Sequence, residues 1–404
     1  MREDSRKGFP INSRIHLLIR SIIYFLKARY RAVRPKRVIG FYQGSSHPRG
    51  RALLSYIPGP LLWPSADPRF NGHSNLWESV EIARILNRLG YVVDAISHAD
   101  QEFRPRHEYD LIFDIHRNIS KHAGPGTKTV LHSTGSYNRF SNQAEEQRLQ
   151  ALKLRRGVIL IPRRSVPLEA IDAFDESARV ADIITVGGNE VTRATFPPGM
   201  QRKMKCLPVT GSPLPEARDP VAGGIGGKDF LWFGGAGAVH KGLDLVLEAF
   251  SRMPELTLHV IGPYGLESDF IKAYARELTR CRNIISHGYL YPSDRRFREA
   301  TRNVVAFIFP SCSEGTSTAA VTCMQLGFTP IMSKNAGIDI MANMGIMLPG
   351  CSIEEIVTAV RGMASIDGTQ MQKMAMAAQD HAVRTYSRAQ FSQQMEAIFQ
   401  ELMQ

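Results

Sequence analysis

The sequence predicts an α/β protein built from two parallel-sheet halves, and three observations predict it. Short apolar runs alternate with helical stretches along most of the chain, the pattern of successive strand-helix-strand units. The alternation pauses at residues 208–228, which hold Pro208, Pro213, Pro215, Pro220 and the run VAGGIGGK, and then restarts. The length of 404 residues also exceeds what one hydrophobic core organises, so two domains are expected. Apolar residues at 43% and charged residues at 22% exclude a disordered, collagen-like or multi-spanning membrane chain.

Residues 1–37 come first and stand apart. The chain carries 50 Lys+Arg against 38 Asp+Glu, a net charge of +12, with a pI near 9.6. Most of that excess lies in 1–37, where Glu3 and Asp4 are the acids. Within this segment Ile11, Ile15, Leu18, Ile22, Phe25 and Leu26 fall on one helical face, with Arg20, Lys27, Arg31 and Arg34 opposite. Arg20 interrupts what would be a signal-peptide core, and no charge-free run reaches the ~20 residues of a spanning helix. The segment therefore reads as a basic amphipathic helix lying on an anionic membrane surface through residues 11–37. A helix packed on the protein's own surface is the alternative. Five cysteines without a C-x-x-C pair argue against a disulfide framework or a zinc knuckle and place the chain in a reducing cytoplasm.

The first Rossmann-like domain is expected over 38–207. Val38–Tyr42 is its candidate first strand, followed by a long Gly-, Pro- and Ser-rich loop up to Ser74. A helix follows from about Asn75 to Leu89, with Asn75 and Glu78 spaced as a capping box and Gly90 as its stop. Tyr91–Ala95, Asp110–Ile115, Thr127–Leu131 and Ile183–Val186 are further strands. Between the last two, residues 128–164 mix a polar loop, a helical stretch and a basic run. Tyr137, Arg139, Arg155, Arg156, Arg163 and Arg164 there either meet an anionic acceptor or are solvated surface side chains.

After the 208–228 linker, the second domain is expected over 229–385, with strands Asp229–Phe233, Leu256–Ile261 and Val304–Phe309. Helices are expected over Gly242–Ser251, Glu267–Leu278 and Glu314–Leu326. A last helix in 386–404 either stays with this domain or crosses back to the first. Two such domains place a ligand in the crevice at the carboxyl ends of their strands.

Two strand-to-helix loops of the second half concentrate polar chemistry. Gly234–Gly242 (GGAGAVHKG) offers backbone amides and a lysine at a helix entry, a site for phosphate. It is neither a P-loop, since His240 and Gly242 flank Lys241, nor a dinucleotide fingerprint, since His240 occupies the third glycine position. Pro310–Thr318 (PSCSEGTST) offers hydroxyls to phosphate and two acceptors on Glu314 to sugar hydroxyls; taken alone, Glu314 is equally a helix-start acid.

In this order, FLWFGGAGAVHKGLDLVLEAF, LTLHVIG, NIISHGYL and PSCSEGTSTAAVTCMQLG resemble the C-terminal domain of retaining, metal-independent GT-B glycosyltransferases of the family 4 type (glycosyl transferases group 1). NGHSNLWESVEIARILNRLGYVVDA resembles, more weakly, that family's first glycine loop and helix. The resemblance implies a GT-B fold of two Rossmann-like domains facing across a cleft, and no metal. It also implies a nucleotide-sugar donor, UDP- or GDP-linked, which is a substrate rather than a cofactor. Lys241, Glu314 and His116 take catalytic roles by this likeness, Lys241 on the donor diphosphate, Glu314 on the sugar and His116 near the reacting carbon. Gly72, His73, Gly235, Gly237, Gly262, Gly288, Tyr289, Ser313, Gly315, Thr316, Ser317 and Thr322 complete the implied donor site. Two positions depart from the pattern: Ala236 stands where the family has an arginine, and Thr322 where it has a second acid.

The expected activity is transfer of a sugar to a glycan, either lipid-linked or of a surface polysaccharide, at the cytoplasmic face of a membrane. The alternative is a degenerate GT-B protein that binds nucleotide or glycan without catalysis. Nucleic acid is not an expected partner, because no RNA- or DNA-binding motif accompanies the charge.

Overall fold

A computed structural model describes residues 37–44, 47–211 and 227–404. The amphipathic helix expected in 11–37 and most of the 208–228 linker lie outside those residues. Among the described residues, no helix is long and apolar enough to cross a membrane.

The first sheet has seven strands, β1 Arg37–Phe41, β2 Gly50–Tyr56, β3 Tyr91–Ser97, β4 Leu111–Asp114, β5 Lys128–Ser133, β6 Ile183–Gly187 and β7 Met204–Leu207. Their spatial order is β1-β3-β2-β4-β5-β6-β7, all parallel except β1, which pairs antiparallel with β3 at the edge. The candidate first strand at Val38–Tyr42 is thus a strand, and it lies at the edge of the sheet. Strand β2, interior to the sheet between β3 and β4, lies inside the stretch expected to be a loop. Gly50 and Pro58 bracket β2 closely, and Ala52, Leu53 and Leu54 are its core, too short an apolar run to stand out beside those turn residues. Helix α1 spans Ser74–Arg88. Its cap is His73, whose Nδ1 accepts from Asn75 N at 3.4 Å, in place of the expected Asn75/Glu78 box. Glu78 instead turns inward, where Tyr56 Oη donates to its Oε2 at 3.2 Å.

Helices α2 Asn138–Arg156 and α3 Leu168–Val180 are the longer helices that follow in this half. Helix α2 is unusual in what it buries. Leu149 and Leu152, with Leu160 beyond it, join the core of the second sheet, while Arg155 pairs with Asp244 at 2.8 Å and Arg156 with Glu277 at 2.9 Å.

The second sheet comprises β8 Asp229–Phe233, β9 Thr257–Ile261, β10 Ile284–Gly288, β11 Val304–Phe309, β12 Thr329–Ser333 and β13 Ile346–Leu348, ordered β10-β9-β8-β11-β12-β13 and parallel throughout. Strand β11 (VVAFIF) is buried at every residue, as a strand covered on both faces must be. Helix α4 spans Leu243–Phe250 and α5 Thr318–Gln325. The helix expected to start at Glu314 therefore starts four residues later, with the Ser317 hydroxyl accepting from Ala320 N as its cap. The helix expected over Glu267–Leu278 is broken into Ser268–Ala273 and Ala275–Arg280. Helices α6 Ile353–Ala364, α7 Gly368–Thr385 and α8 Arg388–Leu402 end the chain. Helix α8 returns to the first half, burying Phe391, Met395 and Phe399 there, with the Phe399 ring 6.1 Å from that of Phe113. Each half thus lends one helix to the other's core.

Candidate active-site cleft

Each sheet has one point where strand order reverses, between β2 and β4 in the first and between β8 and β11 in the second. Loops leaving such neighbouring strands diverge and open a crevice at their carboxyl ends. Here the loops after β8 and β11 face those after β2 and β5 across a cleft of about 460 Å³. The halves touch at Gly315, where Thr316 N donates to Gly187 O at 2.8 Å. A Cβ on Gly315 would lie 2.1 Å from that same Gly187 oxygen, so the contact admits only glycine.

The second-sheet wall is built around one ion pair. After β8 the chain turns through Gly234, Gly235 and Ala236, and Gly242 (φ 73°) then admits α4 in the left-handed conformation. This geometry leaves Lys241 at the helix entrance, and its Nζ pairs with Glu314 Oε1. Because residues 310–317 form a loop rather than a helical turn, Glu314 can reach back toward β8. Ser311 Oγ adds a second donor to the same carboxylate oxygen at 3.0 Å. Burial opposes ionisation of Glu314, but the charges of Lys241, His240 and Arg164 outweigh it and hold its carboxyl at about 2. Burial likewise pushes the Lys241 ammonium down, with Glu314 opposing that shift.

His240 fastens the two loops together. Its backbone oxygen accepts from Cys312 N at 2.9 Å, and its Nε2 meets the Ser313 carbonyl. The glycine loop has less to offer an anion than its sequence suggests. Glu267, itself buried, accepts from Gly237 N at 2.7 Å and from Ala238 N at 3.1 Å, so two loop amides already carry a carboxylate.

The cleft wall includes Gly72, His73, Gly235, Lys241, Tyr289, Glu314, Gly315, Thr316, Ser317 and Thr322 of the residues singled out from the sequence. The other five are placed elsewhere. Gly237 faces Glu267. Gly262 and Gly288 back the Gly234 turn, Gly262 N donating to Gly288 O at 3.0 Å, and Ser313 is buried beneath His240. His116 is directed to α3, its Nε2 2.9 Å from Ala170 O, while its Nδ1 accepts from Arg117 Nε at 3.0 Å. The structure therefore does not bring His116 to the cleft. The histidines in the wall are His73, at the start of α1, and His132, near the end of β5.

The first-sheet wall was mostly missed. Besides Gly72 and His73 it holds Tyr56, Ser74, Asn75, Glu78, His132 and Thr134, and Arg164 joins it from the segment after α2. His132 is buried, bonded through Nδ1 to Thr185 Oγ1 at 2.8 Å, and burial depresses its imidazole to about 4. Burial raises the Glu78 carboxyl to about 7, against the bonds from Ser74 and Tyr56. The detectable signal was positional, in that Tyr56 and His132 close apolar runs at strand ends.

A larger cavity, of about 930 Å³, opens beside α2 and touches Ser311 and Cys312 of the same loop. It contains neither Lys241 nor Glu314. Because the two polar loops converge on the smaller cleft, that cleft is the candidate active site.

Residues 227–365 match the family described as glycosyl transferases group 1. Among solved structures, sucrose-phosphate synthase from Thermosynechococcus elongatus is similar at 13% identity and a TM-score of 0.62, over 89% of this chain and 99% of that one. HepE from Anabaena, solved in complex with UDP-glucose, aligns at 14% identity and 0.56 over 87% and 100%. A glycosyltransferase from Rickettsia africae aligns at 12% and 0.54 over 88% and 99%. No curated protein sequence matches the chain. The fold is GT-B, and the family match lies within its second half.

Proposed function

We propose that the protein transfers a sugar from a nucleotide-sugar donor, without a metal and with retention of configuration, to a lipid-linked or surface-polysaccharide acceptor at the cytoplasmic face of a membrane. One observation carries this reading: Lys241 and Glu314, from two different strand-to-helix loops, meet as a buried ion pair in the wall of the cleft. An ammonium has three donors and Glu314 engages one of them, so Lys241 retains donors for a diphosphate oxygen. Glu314, held ionised by its neighbouring cations, accepts from sugar hydroxyls. HepE, a protein of the same fold, was solved with UDP-glucose, which supports a donor of this class.

In the reaction so assigned, the bond from the anomeric carbon to the diphosphate oxygen breaks and its electron pair leaves with the diphosphate. The acceptor hydroxyl bonds to that carbon from the same face and gives its proton to the departing oxygen. Lys241 stabilises the charge that develops on the leaving group, and the two walls exclude water from the donor. The test is to offer the purified protein a panel of UDP- and GDP-sugars. Binding and slow hydrolysis of at least one is expected, and indifference to all of them would overturn the reading.

A second reading, binding without transfer, draws on Thr322. Its hydroxyl donates to Thr318 O at 2.7 Å, along its own helix, and so gives no acidic grip on a ribose.

A further inference from the structure

The segment from the end of α2 to the start of α3 leaves four large apolar side chains in solvent: Leu154 at 89% exposure, Ile159 at 77%, Ile161 at 62% and Leu168 at 64%. Single exposed apolar residues are ordinary, whereas several along one short segment mark an interaction surface. This segment is held firmly. Leu152 and Leu160 are buried in the second core, Ile161 N donates to Asp269 Oδ2 at 3.0 Å, and Arg163 pairs with Asp269. In extended chain alternate residues point the same way, so burying Leu160 turns Ile159 and Ile161 outward together.

The segment's own charges are of one sign. Lys153, Arg155, Arg156, Arg163 and Arg164 lie in the same stretch, and no acid occurs between Glu146 and Glu169. Arg155, Arg156 and Arg163 have acidic partners in the second half. Lys153 and Arg164 have no ion pair among the described residues. Projecting aliphatic tips set among cations match an interface of acyl chains beneath anionic head groups. The same segment also reaches the cleft. Arg164 lines the cleft and packs by its Cγ against Gly237, and it follows Ile161 by three residues, at most roughly 10 Å of chain.

We propose that residues 153–168 dock the protein on an anionic lipid bilayer, so that a lipid-linked acceptor enters the cleft past Arg164. The identity of that acceptor rests on the transfer reading above; the docking does not. A second copy or a protein partner would be the competing occupants.

The experiment uses the full chain with vesicles of phosphatidylcholine containing roughly a third phosphatidylglycerol, beside vesicles of phosphatidylcholine alone, and no sugar donor. The wild-type protein is expected to co-sediment with the anionic vesicles. Ile159→Asp with Ile161→Asp should weaken that partition at least about tenfold, with circular dichroism unchanged. In the wild-type chain, amide hydrogen exchange across 157–168 should slow on the anionic vesicles. Unchanged partition of the double variant overturns the docking, as does unchanged exchange across 157–168, even if vesicles bind elsewhere on the chain. Light scattering that finds a dimer dissociated by the two substitutions, without an effect of vesicles, also overturns it in favour of a second copy. Failure to process any nucleotide-sugar, by contrast, would sink the transfer reading and leave the docking standing.

Discussion

The two walls of the cleft bury ionisable groups to a similar degree and reach opposite electrostatic outcomes. On the second-sheet wall Glu314 stays ionised, its carboxyl at about 2. On the first-sheet wall burial drives Glu78 up to about 7 and His132 down to about 4, each toward its neutral form. Desolvation acts alike on all of them, and the difference is a partner within reach. Glu314 has Lys241 in direct contact, whereas Glu78 has hydroxyls and only the more distant charge of Arg388. A fixed ion pair suits the charged part of a donor. Neutral hydrogen-bonding groups such as Glu78, Tyr56 and His132 suit the hydroxyls of an acceptor.

The largest expected effect comes from breaking the charged wall. Lys241→Ala leaves Glu314 as a buried, unpaired carboxylate and is expected to cost about 3–5 kcal/mol of stability. Replacing both partners, Lys241→Met with Glu314→Leu, should recover most of that loss in chemical denaturation, because neither buried charge remains. Transfer activity should fall about 10³-fold in both proteins, since the leaving-group cation is gone from each. A single variant as stable as the wild type would show that the pair is not the buried clamp described here.

Glu78 tests the neutral wall. Its folded-state carboxyl sits near 7 against an ordinary 4.5. The unfolded chain therefore releases this proton first as pH rises, and the wild type loses stability between about pH 4.5 and 7 through this group. The shift corresponds to roughly 3 kcal/mol. His132, held near 4, contributes the opposite slope up to about pH 6.5, so total stability is a poor readout. The difference between Glu78→Gln and wild type isolates the carboxyl, because Gln can still accept from Tyr56 and cannot ionise. That difference should be small at pH 4 and grow in favour of the variant toward pH 7. A flat difference would mean that burial does not hold the Glu78 carboxyl above its ordinary value in the folded chain.

How legible each wall was in the sequence follows from how it is assembled. The second-sheet wall comes from two contiguous loops, so GGAGAVHKG and PSCSEGTST carried its chemistry in readable strings. The alternation of apolar runs also revealed the strands buried on both faces. The first-sheet wall draws single residues from separate strand ends and a helix, Tyr56, Glu78 and His132, and no string joins them. His116 illustrates the cost. It occupies the expected place after β4, but Ala170 O on α3 takes its ring away from the cleft, a contact with a residue 54 positions later. The spacing of Asn75 and Glu78 predicts a capping box for the same reason, since only the tertiary approach of Tyr56 turns Glu78 inward. The reach of α2 into the second core was equally hidden, because an apolar helix face does not say which sheet it covers, and for the same reason the sequence left α8 open between the two halves.

The smallest effect bears on whether the charged wall extends along α5. Thr322 lines the cleft, yet its Oγ1 donates to Thr318 O at 2.7 Å within the helix, and the residue is almost fully buried. If the hydroxyl serves the helix alone, Thr322→Val removes one local bond while keeping the shape, at about 1 kcal/mol of stability. The KM for the nucleotide-sugar should then stay within about threefold of wild type. A hydroxyl that also held the donor would behave differently, because its loss would leave a polar group of the bound donor unpaired. In that case KM should rise about tenfold with kcat little changed, the pattern of a lost uniform binding contact. Saturation kinetics on the variant separate the two outcomes. The first would confine the charged wall to Lys241 and Glu314, and the second would carry it one turn further into the helix.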